Sequence, residues 1–203
     1  MGISPSERVS GGPKLPHDDP PPALVTNGAY NFGTYNAPIP SVNPLDMATG
    51  RTRWLRNLRL KEWQAFQLGN DEWFMCGAVY SAKSLGLLQL IVVHWPTGKI
   101  RRWIERVPPW KLQIAQGLSN SRSHGSGRRL EMSIENDLPD SGLTIHGSHS
   151  GTPELPPFSL GVTAHASTSD CAHLVICHPF SPTRALYSNK AFMAAEGTLT
   201  IGD

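Results

Sequence analysis

The chain has 203 residues, of which 39% are hydrophobic and 17% are charged, and it contains 19 glycines and 18 prolines. This composition is typical of short strands joined by many turns, and it argues against a protein built from long helices. The net charge of +2 is too small to predict a nucleic-acid partner or an anionic membrane partner, for which a clustered basic face would be expected.

The first 50 residues are rich in proline, glycine and asparagine, which predicts an irregular leader over residues 1–50. The segment Met1–Pro22 has no apolar core, so neither a secretory signal nor an anchor is expected. No later stretch reaches the roughly 20 apolar residues of a membrane helix. A cytoplasmic location without a membrane span is the resulting expectation.

Residues 51–203 are predicted to form one β domain that is incomplete at its C-terminal end. Its first two strands are Leu58–Leu68 and Glu72–Tyr80, which a tight turn makes antiparallel. Leu87–Trp95 is apolar almost throughout and is the best candidate for a core strand. A proline- and glycine-containing turn then leads into a strand over Lys99–Val107, which two prolines end.

The polar stretch Gln116–Gly127 lacks packing residues and is predicted to be a mobile loop. The next strand alternates cleanly, with Leu130, Met132 and Ile134 on one side. Further strands follow at similar spacing, and the last has no evident partner: Leu143–His146, Leu160–His165, Ala172–His178 and Thr198–Ile201. Hairpins at this spacing favour an antiparallel barrel or sandwich with little helix.

The cysteines Cys76, Cys171 and Cys177 form an odd set without the spacing of a metal finger, which predicts reduced, partly buried thiols. Zinc ligands are suggested by Cys171, His173, Cys177 and His178, but on a strand rising about 3.3 Å per residue the two cysteines lie roughly 20 Å apart. No nucleophile elbow and no phosphate-binding loop is present. We therefore predict no metal and no cofactor.

Two arginine-rich segments raise the question of a nucleic-acid partner. Arg51–Arg59 holds four arginines around Trp54, and Arg122–Arg129 holds three arginines and a histidine among glycine and serine. Neither segment is backed by a wider basic face, so we predict that both are solvated or structural.

The consecutive residues Lys61, Glu62 and Trp63 lie in a predicted strand, so Lys61 and Trp63 share one face and Glu62 lies on the other. If Glu62 faces a cavity, burial would favour its protonated form, and it could serve as a general acid. The alternative is that Glu62 pairs with an arginine on a neighbouring strand. The tryptophans of this block could line an aromatic cavity or pack the core: Trp63, Trp73, Trp95 and Trp103.

Three segments resemble a family catalogued as domain of unknown function 2804. They are Arg53–Phe66 with its Leu-Lys-Glu-Trp core, His94–Gly98, and Leu186–Leu199 with Lys190-Ala and Ala195-Glu-Gly. This family is distantly similar to lipocalin-like two-barrel proteins of the carotenoid hydratase (hydroxyneurosporene synthase) and AttH type, and to fungal cyclases. The resemblance implies an all-β fold with an antiparallel lipocalin-like barrel or partial barrel, followed in full-length relatives by a second β half.

The expected function is binding of a hydrophobic small molecule, such as an isoprenoid, polyketide or lipid, in an aromatic-lined cavity. A hydratase or cyclase with Glu62 as its acid is the first alternative, and a non-catalytic truncated remnant is the second. An unpaired sheet edge near Asp203 would favour the remnant and invite association. The candidate ligand-binding residues are Lys61, Trp63, Tyr80, Trp95, Trp103 and Lys190.

Overall fold

The computed structural model describes residues 18–138, 140–166 and 172–202, and most of them lie in strands. The all-β prediction is therefore confirmed, with one short α-helix added. The chain groups into two compact units.

Among the described residues, the small unit combines residues 18–47 with His173–Lys190. Its core contains Tyr35 and Val175, which come from distant parts of the chain. Tyr35 and Val175 are paired across two strands that lie far apart in the sequence, so a local sequence pattern cannot reveal their pairing. The elements are β1 (Val25–Thr26), which pairs with β2 (Ala29–Tyr30), a 3-10 helix (Pro44–Met47), and a sheet in which β13 (Ala172–Ser181) lies between β3 (Gly33–Tyr35) and β14 (Arg184–Phe192).

The second unit, which we call the sandwich unit, begins with α1 (Gly50–Arg59) and a four-stranded antiparallel sheet. The predicted strand Leu58–Leu68 is wrong at its start, because α1 occupies residues up to Arg59. In the first hairpin turn the Asn70 side chain accepts hydrogen bonds from the backbone N–H groups of Glu72 and Trp73, at 3.0 and 2.7 Å. The strands are β4 (Glu62–Gly69), β5 (Trp73–Ser81), β6 (Gly86–His94) and β7 (Lys99–Val107).

A six-stranded sheet completes the sandwich unit, in the order β15-β12-β11-β10-β9-β8. The mobile loop predicted over Gln116–Gly127 is wrong, because much of it forms β9, whose inward positions hold the small residues Ser123 and Gly125. The last strand has a partner after all, since β15 pairs with β12 along its whole length. The strands are β8 (Leu112–Gln113), β9 (Ser121–Ser126), β10 (Leu130–Asp137), β11 (Gly142–His149), β12 (Phe158–His165) and β15 (Ala194–Ile201).

The inner faces of the two sheets pack against each other and form one hydrophobic core. At its centre Trp103 is fully buried, with its ring edge-on to Phe158 at a centroid distance of 4.9 Å. The indole N–H of Trp103 donates a hydrogen bond to the carbonyl of Pro156 at 3.0 Å. Side chains thus fill the space between the sheets, and the described strands form separate sheets rather than one closed barrel.

Candidate functional site

The four-stranded sheet has a second face, directed away from the core. Since side chains alternate across a strand, the positions between the core residues of β4 to β7 all lie on this side. We call this surface the outer face. The register aligns it in four rows: Trp63, Tyr80, Leu87 and Arg106; Ala65, Ala78, Gln89 and Ile104; Gln67, Cys76, Ile91 and Arg102; and Gly69, Phe74, Val93 and Ile100.

The outer face is largely apolar and yet open to solvent. Trp63 is 46% exposed, Ile100 45% and Ile104 52%. Among its described positions the charged residues are Arg102 and Arg106, and both lie on the edge strand β7. A contiguous apolar patch on a protein surface commonly marks a binding site, so the outer face is the candidate functional site.

Aromatic side chains stand at both ends of the outer face. The rings of Trp63 and Tyr80 lie 6.5 Å apart between centroids, and those of Phe74 and Trp95 lie 6.0 Å apart. Tyr80 and Phe74 are six positions apart on β5, which corresponds to roughly 20 Å along the strand. Aromatic rings provide large contact areas at low entropic cost, so these pairs suit the two ends of an elongated apolar ligand.

The centre of the outer face contains a free thiol. Burial among its neighbours raises the pKa of the Cys76 thiol, so Cys76 is uncharged at neutral pH. In the small unit Cys177 is also free, and burial raises its pKa to about 11. Cys76 and Cys177 therefore agree with the predicted reduced and partly buried thiols, whereas Cys171 lies outside the described residues.

Of the six predicted ligand-binding residues, Trp63 and Tyr80 lie together at one end of the outer face, and Trp95 lies at the opposite end. Trp103 is instead a core residue, and Lys61 is exposed just before β4. Lys190 is exposed on β14 and belongs to the small unit. Sequence reasoning missed the isoleucines of the outer face, although the alternation along Lys99–Val107 was a signal for them.

Glu62, the candidate acid, lies at one end of β4 on the same side as the core residue Phe66. Its Oε2 atom accepts a hydrogen bond from the ammonium group of Lys83, and the two side chains are 22% and 29% exposed. Lys83 lies in the turn between β5 and β6 with a left-handed backbone (φ 66°). The carboxylate is thus engaged in an ion pair, with a lysine in place of the arginine that was considered.

A polar bridge of side chains joins the two sheets near Glu62. The hydroxyl of Ser123 donates to Gln64 Oε1 at 2.6 Å, the Gln64 amide N–H donates to Asn136 Oδ1, and the Asn136 amide N–H donates to Ser121 Oγ at 3.0 Å. An open cleft of about 650 Å³ lies beside it, with mainly polar walls. In the described part of the chain no buried side-chain N or O atom lacks a hydrogen-bond partner. The buried polar atoms of the bridge are therefore all hydrogen-bonded.

Comparison with known protein families shows a match. A family model described as "Domain of unknown function (DUF2804)" matches residues 17–203. The chain belongs to the DUF2804 family. The family resemblance found in the sequence is thereby confirmed, whereas likeness to carotenoid hydratases and AttH-type proteins is not shown. No curated protein and no solved structure matches the chain.

A second cleft of the DUF2804 chain, of about 200 Å³, contains Glu105 and His149. Burial would raise the pKa of Glu105, but backbone N–H groups of Arg128, Arg129 and Leu130 donate to its carboxylate and, with His149, bring the pKa below 4.5. Burial lowers the pKa of His149 below 6.5; the charge of Glu105 opposes this shift and that of Arg129 adds to it. Through these three hydrogen bonds Glu105 links β7 to the turn between β9 and β10. We call this arrangement the Glu105 clasp.

The residues considered as zinc ligands do not form a site in the part of the chain that is described. His173 Nδ1 lies 3.3 Å from Asn189 Oδ1, and the His178 ring packs edge-on to Phe180. Across residues 18–138, 140–166 and 172–202 there is no group of three or more His, Cys, Asp or Glu residues that could hold a metal ion.

Proposed function

We propose that the protein binds an elongated hydrophobic small molecule, such as an isoprenoid, a polyketide or a lipid chain, on the outer face of its four-stranded sheet. The observation that carries the proposal is the apolar surface that runs between the aromatic pairs Trp63–Tyr80 and Phe74–Trp95. A ligand of roughly 20 Å, the length of six strand residues, would contact both pairs.

The size of the surface sets the expected affinity. If ligand and outer face together bury about 600 Å² of apolar area, the hydrophobic gain is about 15 kcal/mol at 25 cal/mol per Å². Losses of translational, rotational and conformational freedom on binding offset about half of this gain. Binding in the micromolar range is therefore the expected order of magnitude.

The proposed ligand lies on the surface of the protein, whereas the sequence predicted a cavity inside a barrel. The interior between the two sheets is occupied by core side chains, with Trp103 fully buried among them. A hydratase or cyclase would need an ionisable group directed into an apolar cavity. Glu62 lies on the inner side, but its Oε2 is an acceptor for Lys83 and its neighbour Gln64 belongs to the polar bridge. Binding without catalysis is therefore the proposal that we favour.

The test is a titration of the full chain with retinol, farnesol and palmitate, followed by tryptophan fluorescence and calorimetry. We expect at least one of these molecules to bind, and Trp63→Ala to weaken its binding about tenfold through lost apolar contact. Trp110→Ala is the matched control, since Trp110 is 81% exposed and lies outside the outer face. Failure of all three molecules to bind, or an equal loss in both variants, would contradict the proposal.

A further inference from the structure

The helix α1 exposes an apolar stripe to solvent. Trp54 is 61% exposed, Leu55 52% and Leu58 47%. With 3.6 residues per turn these three residues share one side of the helix. None of the ten residues of α1, all of which the structure describes, is buried.

The N-terminal end of this helix lacks two features that commonly stabilise helices. Within the described chain Thr49, at the N-cap position, makes no capping hydrogen bond with its side chain, and the first turn has no acidic residue to complement the helix dipole. Gly50 begins the helix with a positive φ of 52°. Isolated helices shorter than about 12 residues are marginal in water, so α1 gains stability from any surface that covers its apolar stripe.

The charge of α1 indicates the nature of that surface. The segment contains four arginines and no acidic residue, whereas the whole chain has a net charge of only +2. The element that exposes the apolar stripe therefore also carries a local excess of positive charge. The net charge of +2 is a sum over the whole chain, so it conceals this local excess on α1. Arg51 and Arg59 are both exposed.

We propose that α1 docks on an anionic lipid surface. In this arrangement Trp54, Leu55 and Leu58 enter the boundary between headgroups and acyl chains. Arg51 and Arg59 contact lipid phosphates and carboxylates. The helix lies in the plane of the surface. None of the described helices is long and apolar enough to cross a membrane.

The helix α1 is joined to β4 of the outer face by a short segment. Arg59 ends α1, and Trp63 of the outer face follows four residues later, a reach of at most about 14 Å. A docked α1 would bring the end of the outer face close to the lipid surface. The proposal does not depend on ligand binding by the outer face, because it rests on the exposure and charge of α1 alone.

The test is co-sedimentation of the full chain with two kinds of vesicle, one of phosphatidylcholine alone and one of phosphatidylcholine mixed with phosphatidylserine. Wild type should bind the mixed vesicles, and added salt should weaken this binding because it screens the charges. The double variant Arg51→Gln/Arg59→Gln should bind roughly 30-fold more weakly, since each cation near such a surface contributes about a fivefold factor. Trp54→Ala should weaken binding about tenfold.

The matched control is Arg122→Gln/Arg184→Gln, which removes two exposed arginines of other elements and changes the net charge equally. It should bind the mixed vesicles as wild type does, and circular dichroism should show that each variant is folded. An equal loss in this control would mean that only net charge matters, and would overturn the proposal. So would a wild type that ignores both vesicles, or α1 variants that alter only self-association in sedimentation velocity, which would indicate a second copy as the occupant.

Discussion

The two faces of the four-stranded sheet are made from the same strands and are both rich in apolar residues, but they differ in what covers them. The inner face carries Phe66, Leu90 and Trp103, all buried against the six-stranded sheet. The outer face carries Trp63 and Ile104, which are about half exposed. Alternation along a strand determines which residues share a face, but only the packing of a second layer determines which face becomes the core.

The largest effect should come from the inner face. Trp103→Ala removes a fully buried indole, its contact with Phe158 and a hydrogen bond to Pro156. We expect the free energy of unfolding to fall by about 3–5 kcal/mol. Urea denaturation followed by far-UV circular dichroism measures this loss.

The corresponding change on the outer face is Trp63→Ala. Because Trp63 is 46% exposed, this variant should lose no more than about 1 kcal/mol in the same denaturation experiment. Similar losses for Trp63→Ala and Trp103→Ala would show that the two faces are not different in their packing, and the comparison would fail.

An effect between those of Trp103→Ala and Trp63→Ala is expected at Gly77, which lies on the inner face of β5. A Cβ atom at this position would collide with the ring of Phe66 and lie 2.9 Å from the terminal methyl carbon of Met132. Gly77→Ala should therefore lower the free energy of unfolding by about 1–3 kcal/mol through overpacking. At Gly69 the nearest atom would lie 3.4 Å away, so Gly69→Ala is the matched control and should change stability little.

The Glu105 clasp predicts a pH-dependent effect of about 1 kcal/mol. Glu105→Gln keeps the shape of the side chain but removes the charge that three backbone N–H groups stabilise. Since the pKa of Glu105 in the folded protein lies below 4.5, the contribution of its charge is present at neutral pH and is lost as the pH falls through that folded value. Chemical denaturation of both proteins from about pH 7 to about pH 3 should show the difference between them narrowing below about pH 4.5. A difference that stays constant across this range would argue against the clasp.

The smallest effect on stability should come from Ile104→Ser in the middle of the edge strand β7. Ile104 is 52% exposed, so the free energy of unfolding should stay within about 0.5 kcal/mol of wild type. Hydrophobic ligand binding should nevertheless weaken, because the outer face loses one of its largest apolar side chains. Thermal denaturation with and without palmitate measures both quantities in one experiment, and a large loss of stability without ligand would show that Ile104 supports packing.

The sequence predicted the strands that have strong local signals. The Asn70 turn and the prolines at Pro96 and Pro108 bound β5, β6 and β7 close to where the structure has them. It did not predict β9, because the inward positions Ser123 and Gly125 carry no apolar pattern. At Gly125 a Cβ atom would collide with the side chain of Leu88, so this position requires a glycine. It missed α1 as well, because an exposed helix without caps has few of the signals that define a helix.

Only part of the candidate site was predicted, because residue type alone does not determine which face of a strand is buried. Trp63, Tyr80 and Trp95 were identified by residue type, and they do lie around one surface. Trp103 has the same residue type but lies on the inner face of its strand, and nothing local distinguishes it from an exposed tryptophan. The pairing of Glu62 with Lys83 depends on a turn conformation that the sequence does not reveal.

The most direct test of the outer face as a binding surface uses the thiol at its centre. Cys76 can be alkylated with iodoacetamide in the native full chain, and its labelling rate can be followed by peptide mass spectrometry with and without a bound ligand from the titration panel. Labelling should be slow at neutral pH, since burial raises the pKa of this thiol, and it should become slower still when the ligand covers the outer face. A ligand that binds but leaves the Cys76 labelling rate unchanged would place the binding site elsewhere and contradict the account.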